Sequence, residues 1–186
     1  LNEETHDKLT AMKLYGLAAA FQGYLEQARG PDELSFDERF GIFVDREWTD
    51  RQDRRLTSRL KGAKLREPAC LEDVNYRHPR GLDRSVVQRL TTCQWVKNHE
   101  AVLITGATGL GKTWLACALA HQACREGYTA LYVRVPRLLH NLTLARGDGS
   151  YVRELARMAR TDLLILDDWG IAFIKSSRPT ISMVND

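Results

Sequence analysis

Apolar residues return at helical spacing through the first third of the chain. Within residues 7–28, Leu9, Met12, Leu17, Ala20, Phe21, Tyr24, Leu25 and Ala28 recur mostly at separations of three and four, which predicts one amphipathic helix. Gly16 and Gly23 weaken it by roughly 1 kcal/mol each relative to Ala without stopping it, and Gly30-Pro31-Asp32 ends it. Ser35-Phe36-Asp37-Glu38 spells a capping box, with Ser35 as N-cap and Glu38 reaching back. Behind it Phe36, Phe40, Phe43, Val44 and Trp48 form an apolar stripe that Leu56 and Leu60 prolong, so a second helix is expected to about Leu60. The two helices should pack as a hairpin. Residues 70–82, with Asn75-Tyr76-Arg77-His78-Pro79-Arg80-Gly81, read as an extended linker, and Asp83 or Ser85 can cap a helix running towards Trp95.

Beyond residue 100 the pattern changes character. Ala101-Val102-Leu103-Ile104-Thr105 is apolar and short enough for a buried strand, and Trp114 onward reads as helix until Gly127, a natural residue past a helix end. Thr129 to Val135 predicts a second strand, with Pro136 opening a helix through Leu138, Leu139 and Leu142. Gly147-Asp148-Gly149 breaks that helix, and Tyr151 to Arg160 resumes with Val152, Leu155, Met158 and Ala159 as its apolar side. Leu163-Leu164-Ile165-Leu166 then predicts a strand buried on both faces, delivering Asp167 and Asp168 to its C-terminal edge. Strands alternating with helices mean an α/β fold, a parallel sheet flanked by helices behind a small all-helical N-terminal domain. The expected division is 1–66 for the helical domain, 67–98 for linker and helix, and 99–186 for the α/β domain.

The chemistry centres on Gly106-Ala107-Thr108-Gly109-Leu110-Gly111-Lys112-Thr113, which fits G-x-x-x-x-G-K-[ST] between a predicted strand and a predicted helix. Glycines let backbone N–H groups point at phosphate oxygens, and the helix N-terminus adds partial positive charge. Lys112 should reach the β- and γ-phosphates, the Thr113 hydroxyl should ligate magnesium, and Trp114 completes the nucleotide-contacting run. Asp167 should orient the magnesium shell, and Asp168 is placed to polarise an attacking water. The expected ligands are therefore a nucleoside triphosphate and Mg2+.

Charge adds a second candidate surface. The net charge of +3 conceals a segregation: residues 1–50 sum to −6, residues 51–66 to +6, and the remainder to +3. Arg51, Arg54, Arg55, Arg59, Lys61, Lys64 and Arg66 crowd that short basic block against Asp53 alone. An anionic polymer, a nucleic acid, is the expected partner. No apolar run approaches the roughly 18–20 residues needed to span a bilayer. Cys70, Cys93, Cys117 and Cys124 lack C-x-x-C spacing and read as reduced thiols or small core residues of a cytoplasmic protein.

The loop Gly106 to Thr113, the run Leu163 to Gly170 and Tyr132-Val133-Arg134-Val135-Pro136-Arg137-Leu138-Leu139 together resemble the IstB-type ATPases. These are transposition helpers of bacterial insertion sequences, similar in their ATPase part to DnaC-type helicase loaders. Met12-Lys13-Leu14 and the Tyr76-to-Leu82 linker fit that family too, and the resemblance covers about residues 5–172. It implies an AAA+ domain that hydrolyses ATP, self-assembles on DNA as a homo-oligomer and delivers or activates a transposase. Asp168 stands where most AAA+ proteins have Glu, one methylene longer. Phe173 to Pro179 departs from the family, which continues with a sensor strand and an arginine finger. A C-terminally truncated chain that binds ATP and turns it over poorly is the expectation, with Thr180 to Val184 as a makeshift strand. The rival readings are a helicase loader, a non-catalytic remnant and a small-molecule kinase, the last lacking any sign of a substrate lid.

Overall fold

The computed structural model describes residues 2–27, 34–77 and 81–169. Gly30-Pro31-Asp32, the linker's His78 to Arg80, Gly170 and the run 171–186, where the makeshift strand was expected, lie outside the described residues. The chain divides into two units, Leu1–Lys61 and Gly62–Asp186.

In the first unit the single helix expected over 7–28 is two. Helix α1 (Asn2–Ala11) and helix α2 (Tyr15–Gln27) are separated by Lys13, whose φ of 60° is left-handed. Tertiary contact overrides periodicity here. The break frees N–H groups at the start of α2, and the Glu47 carboxylate on α3 (Phe36–Ala63) takes two of them. Gly16 N and Leu17 N donate to Glu47 Oε2 at 2.9 and 3.2 Å. A Cβ on Gly16 would lie 2.7 Å from the Arg46 carbonyl oxygen and 2.8 Å from Glu47 Cα, so α2 meets α3 backbone to backbone.

The capping box forms as read. Ser35 N donates to Glu38 Oε2 at 2.8 Å, and Glu38 N donates to Ser35 Oγ at 3.3 Å. The hairpin also forms, with Phe43 meeting Phe21 and Tyr24 edge-on at centroid distances of 6.4 and 6.0 Å. The rest of the predicted stripe does not face α2. The contact row on α3 passes through Phe43, Glu47 and Asp50, so Phe36 and Phe40 stack on each other at the surface, and Val44 and Trp48 are also exposed.

The second unit is built around helix α6 (Lys112–Arg125). Cys117, Ala118, Leu119 and Ala120 are buried in succession, with Ala123 and Cys124 behind them, so the helix is covered all round. With Cys93, which is also buried, three of the four cysteines are core residues. Helices α4 (Arg84–Thr91) and α5 (Gln94–Lys97) contribute Val87, Trp95 and Val96 to the same core. Asp83 is the α4 cap, accepting from Ser85 N at 2.7 Å. Left-handed Cys93 (φ 54°) places Trp95 in its own short helix. Residues 70–82 are more than a linker: Leu71–Asp73 forms a 3-10 turn, and Leu71 and Val74 are buried in the core.

Past α6, Gly127 closes a Schellman motif, with Gly127 N donating to Cys124 O and Tyr128 N to Ala123 O. Strands β1 (Ala130–Arg134) and β2 (Leu163–Asp167) pair in parallel, from Ala130 opposite Leu163 to Arg134 opposite Asp167. Helices α7 (Val135–Asp148) and α8 (Tyr151–Ala159) make the connection.

Three expectations fail in this unit. Ala101 to Thr105 is irregular rather than a strand, and Leu103 is 87% exposed. Among the described residues no neighbouring strand pairs with it, and a strand without a ladder leaves its backbone groups to water. Strand β2 is covered on one face only: Leu164 and Leu166 are exposed, while Leu163 and Ile165 pack on the α6 core. The intended apolar side of α8 is largely exposed at Val152, Leu155 and Ala159, because nothing among the described residues covers it.

Candidate nucleotide site

Gly109 (φ 87°) and Gly111 (φ 84°) are both left-handed, and Gly111 is the N-cap of α6. Side chains there are strained, so these glycines let the loop turn sharply into the helix. Lys112 folds back over that turn, its Nζ donating to Gly106 O and Ala107 O at 2.9 Å each. An ammonium has three donors, so one remains after these two. Beside the loop lies a cleft of about 70 Å³ lined by Val74, Leu82, Ile104, Leu110, Trp114 and Leu115.

The end of β2 meets the first turn of α6. Thr113 Oγ1 donates to Asp167 Oδ2 at 2.9 Å across 54 residues of sequence, and Tyr132 OH donates to the same oxygen at 2.5 Å. Asp168 N donates to Asp167 Oδ1 at 2.9 Å. Burial pushes the Asp167 carboxyl up, but the Tyr132, Thr113 and Asp168 hydrogen bonds and the Arg66 charge together hold it below its ordinary value. A hydroxyl and an ionised carboxylate converging this closely are hard oxygen donors. They fit a magnesium ion, which takes one or two protein oxygens and fills its octahedron with water and phosphate.

Asp168 faces a different neighbour. Its left-handed backbone (φ 57°) turns it off the strand, and Arg134 Nε, at the end of β1, donates to Asp168 Oδ2 at 2.5 Å. Tyr132 and Arg134 were absent from the sequence-derived site. The parallel register was the available signal, since it sets Arg134 opposite Asp167 and Tyr132 on the same face.

The basic block is more fully neutralised than its charge count suggests. Arg51 Nε pairs with Glu47 Oε1 at 2.6 Å, and Arg54 Nε pairs with Asp50 Oδ2 at 2.8 Å. These acids lie one turn upstream, outside the summed window, so Asp53 is not the only partner. Arg54 also covers the Tyr15 ring at 5.0 Å. Arg66 lies 3.7 Å from Glu67 and interacts with the Tyr132 phenol, which takes it towards the nucleotide site. Arg59 is half-buried. Arg55, Lys61 and Lys64 are exposed and without ion pairs among the described residues. No described helix is long and apolar enough to cross a membrane.

The chain is 47% identical over 180 residues to a protein of insertion sequence IS1162 from Pseudomonas fluorescens that is named for ATP binding, covering 95% of this chain and 77% of that one. It is 48% identical over 171 residues to y4pL of Sinorhizobium fredii, likewise named as an insertion-sequence ATP-binding protein, covering 92% and 69%. Identity to the IS21 ATP-binding protein of Pseudomonas aeruginosa is 33% over 162 residues, covering 87% and 61%. The family described as IstB-like ATP binding protein matches residues 7–180. With the glycine loop, the flanking helix and the Asp-bearing parallel strand in place, the chain belongs to the IstB-like ATP-binding proteins of insertion sequences.

Proposed function

We propose that this chain is an ATP-dependent DNA-binding helper of transposition that assembles on duplex DNA and recruits or activates a transposase. The observation that carries the nucleotide half is the 2.9 Å contact between Thr113 and Asp167 at the N-terminus of α6. Backbone N–H groups of Gly106 to Thr113 and the Lys112 ammonium hold the phosphates, and Trp114 completes the nucleotide contact. Thr113 and Asp167 hold magnesium, which supplies charge neutralisation on the β- and γ-phosphates when bound. Asp168 orients the attacking water. Its pairing with Arg134 turns the carboxylate away from the water it would orient, and its side chain is one methylene shorter than Glu, so hydrolysis is slow in this arrangement.

Arg55, Lys61 and Lys64 support the DNA half, and Arg51 and Arg54 add to it only when they exchange Glu47 and Asp50 for phosphate. The insertion-sequence names of the relatives support a transposase as the protein partner and DNA as the assembly platform. A helicase loader shares this nucleotide site, and retention of a replicative helicase in place of a transposase would favour it. The test is duplex-DNA binding by fluorescence anisotropy across salt concentrations, with and without magnesium-ATP. The proposal expects tighter binding with ATP and a salt slope that flattens by roughly one per removed cation in Arg55→Ala or Lys61→Ala. Equal binding without nucleotide, or an unchanged slope in both variants, contradicts it.

A further inference from the structure

Tyr132 has a place in the site that the phosphate loop does not explain. Tyr132 is 8% exposed and belongs to the core around α6, while its hydroxyl reaches the functional end of the sheet. The register dictates where that hydroxyl goes. Arg134 stands opposite Asp167, so Tyr132, two residues earlier on β1, shares the carboxylate's face and lies one pleat below it. A tyrosine there is long enough to reach Asp167 Oδ2, and it does so at 2.5 Å. The remaining bonds complete the restraint: Thr113 Oγ1 holds the same oxygen from α6, and Asp168 N holds Oδ1. Donors from three elements therefore fix both oxygens and the plane of the carboxylate.

We propose that Tyr132 is a positioning residue of the nucleotide site, its hydroxyl fixing the Asp167 carboxylate in the orientation that meets the cation. The inference rests on the magnesium-nucleotide reading above. A partner that orients a metal-facing carboxylate typically changes metal affinity by about 10–100-fold when removed. Tyr132→Phe removes the hydroxyl and keeps the buried ring, which separates positioning from core packing.

The experiment titrates magnesium into the full chain with a fluorescent ATP analogue, and measures analogue affinity separately in EDTA. For Tyr132→Phe the magnesium concentration at half-effect should rise by about tenfold, with affinity in EDTA unchanged. In an Asp167→Asn background, adding Tyr132→Phe should change nothing, because the hydroxyl acts through the carboxylate. An unchanged magnesium midpoint in Tyr132→Phe overturns the proposal. So does an equal loss of affinity with and without magnesium, which is the signature of a general structural role. If the unsubstituted chain binds the analogue equally well in EDTA and in magnesium, the underlying reading fails and the inference falls with it.

Discussion

Replacing Glu47 by Gln should loosen the start of α2 while leaving both helices nearly isosteric. Glu47 is 7% exposed and accepts from Gly16 N at 2.9 Å, Leu17 N at 3.2 Å and Arg51 Nε at 2.6 Å. A hydrogen bond to a charged group contributes about 1.5–3 kcal/mol. Glutamine keeps one acceptor oxygen and loses the charge, so the expected loss is about 2 kcal/mol in the local opening free energy. At 1.4 kcal/mol per factor of ten this is about 30-fold faster amide exchange at Gly16 and Leu17. The pH dependence supplies a second signature. Burial pushes the Glu47 carboxyl up, but the Arg51, Leu17 and Gly16 hydrogen bonds outweigh it and hold it below its ordinary value. Its contribution is therefore fully present above the ordinary glutamate value of about 4.3, and is lost as pH falls through the lower folded value. Residue-resolved hydrogen exchange between pH 3 and 7 measures both effects. Glu47→Gln should remove the acid-sensitive part of the protection. Unchanged exchange at Gly16 and Leu17, or an acid dependence that survives the substitution, would refute the reasoning.

Gly16→Ala should destabilise the α2–α3 pair by at least about 1–3 kcal/mol, because its Cβ meets backbone atoms at 2.7 and 2.8 Å. Denaturation followed by helical circular dichroism checks this, and a neutral substitution would mean the helices separate at little cost. Arg134→Ala should raise the basal ATPase rate several-fold by releasing Asp168, while nucleotide affinity stays constant. A fall in rate at constant affinity would make Arg134 a positioning group instead of a restraint.

Much of the α/β unit was legible because its elements follow local rules. The G-x-x-x-x-G-K-[ST] spacing located the loop, Gly127 marked the end of α6, and the Leu163-to-Leu166 run located β2. The capping box at Ser35 and Glu38 was legible for the same reason, since both partners lie within one turn. What was not legible depends on neighbours distant in sequence. The break at Lys13 follows from Glu47, some 30 residues on, capping α2. The strand character of Ala101 to Thr105 needs a pairing edge that apolar residues alone do not supply. The basic block looked unpaired because charges were summed by position, while an α-helix pairs residues four apart across any such boundary. Tyr132 was hidden by its own consistency, being an ordinary aromatic strand residue until the register shows where its hydroxyl ends.

The central claim is that the loop preceding α6 holds ATP and that Thr113 and Asp167 couple it to magnesium. Calorimetric titration of ATP into the unsubstituted chain, Lys112→Ala and Thr113→Ala, each in magnesium and in EDTA, tests it most directly. Lys112→Ala should lose binding in both conditions, and Thr113→Ala should lose only the gain that magnesium provides. Lys112→Ala binding ATP as tightly as the unsubstituted chain would contradict the account.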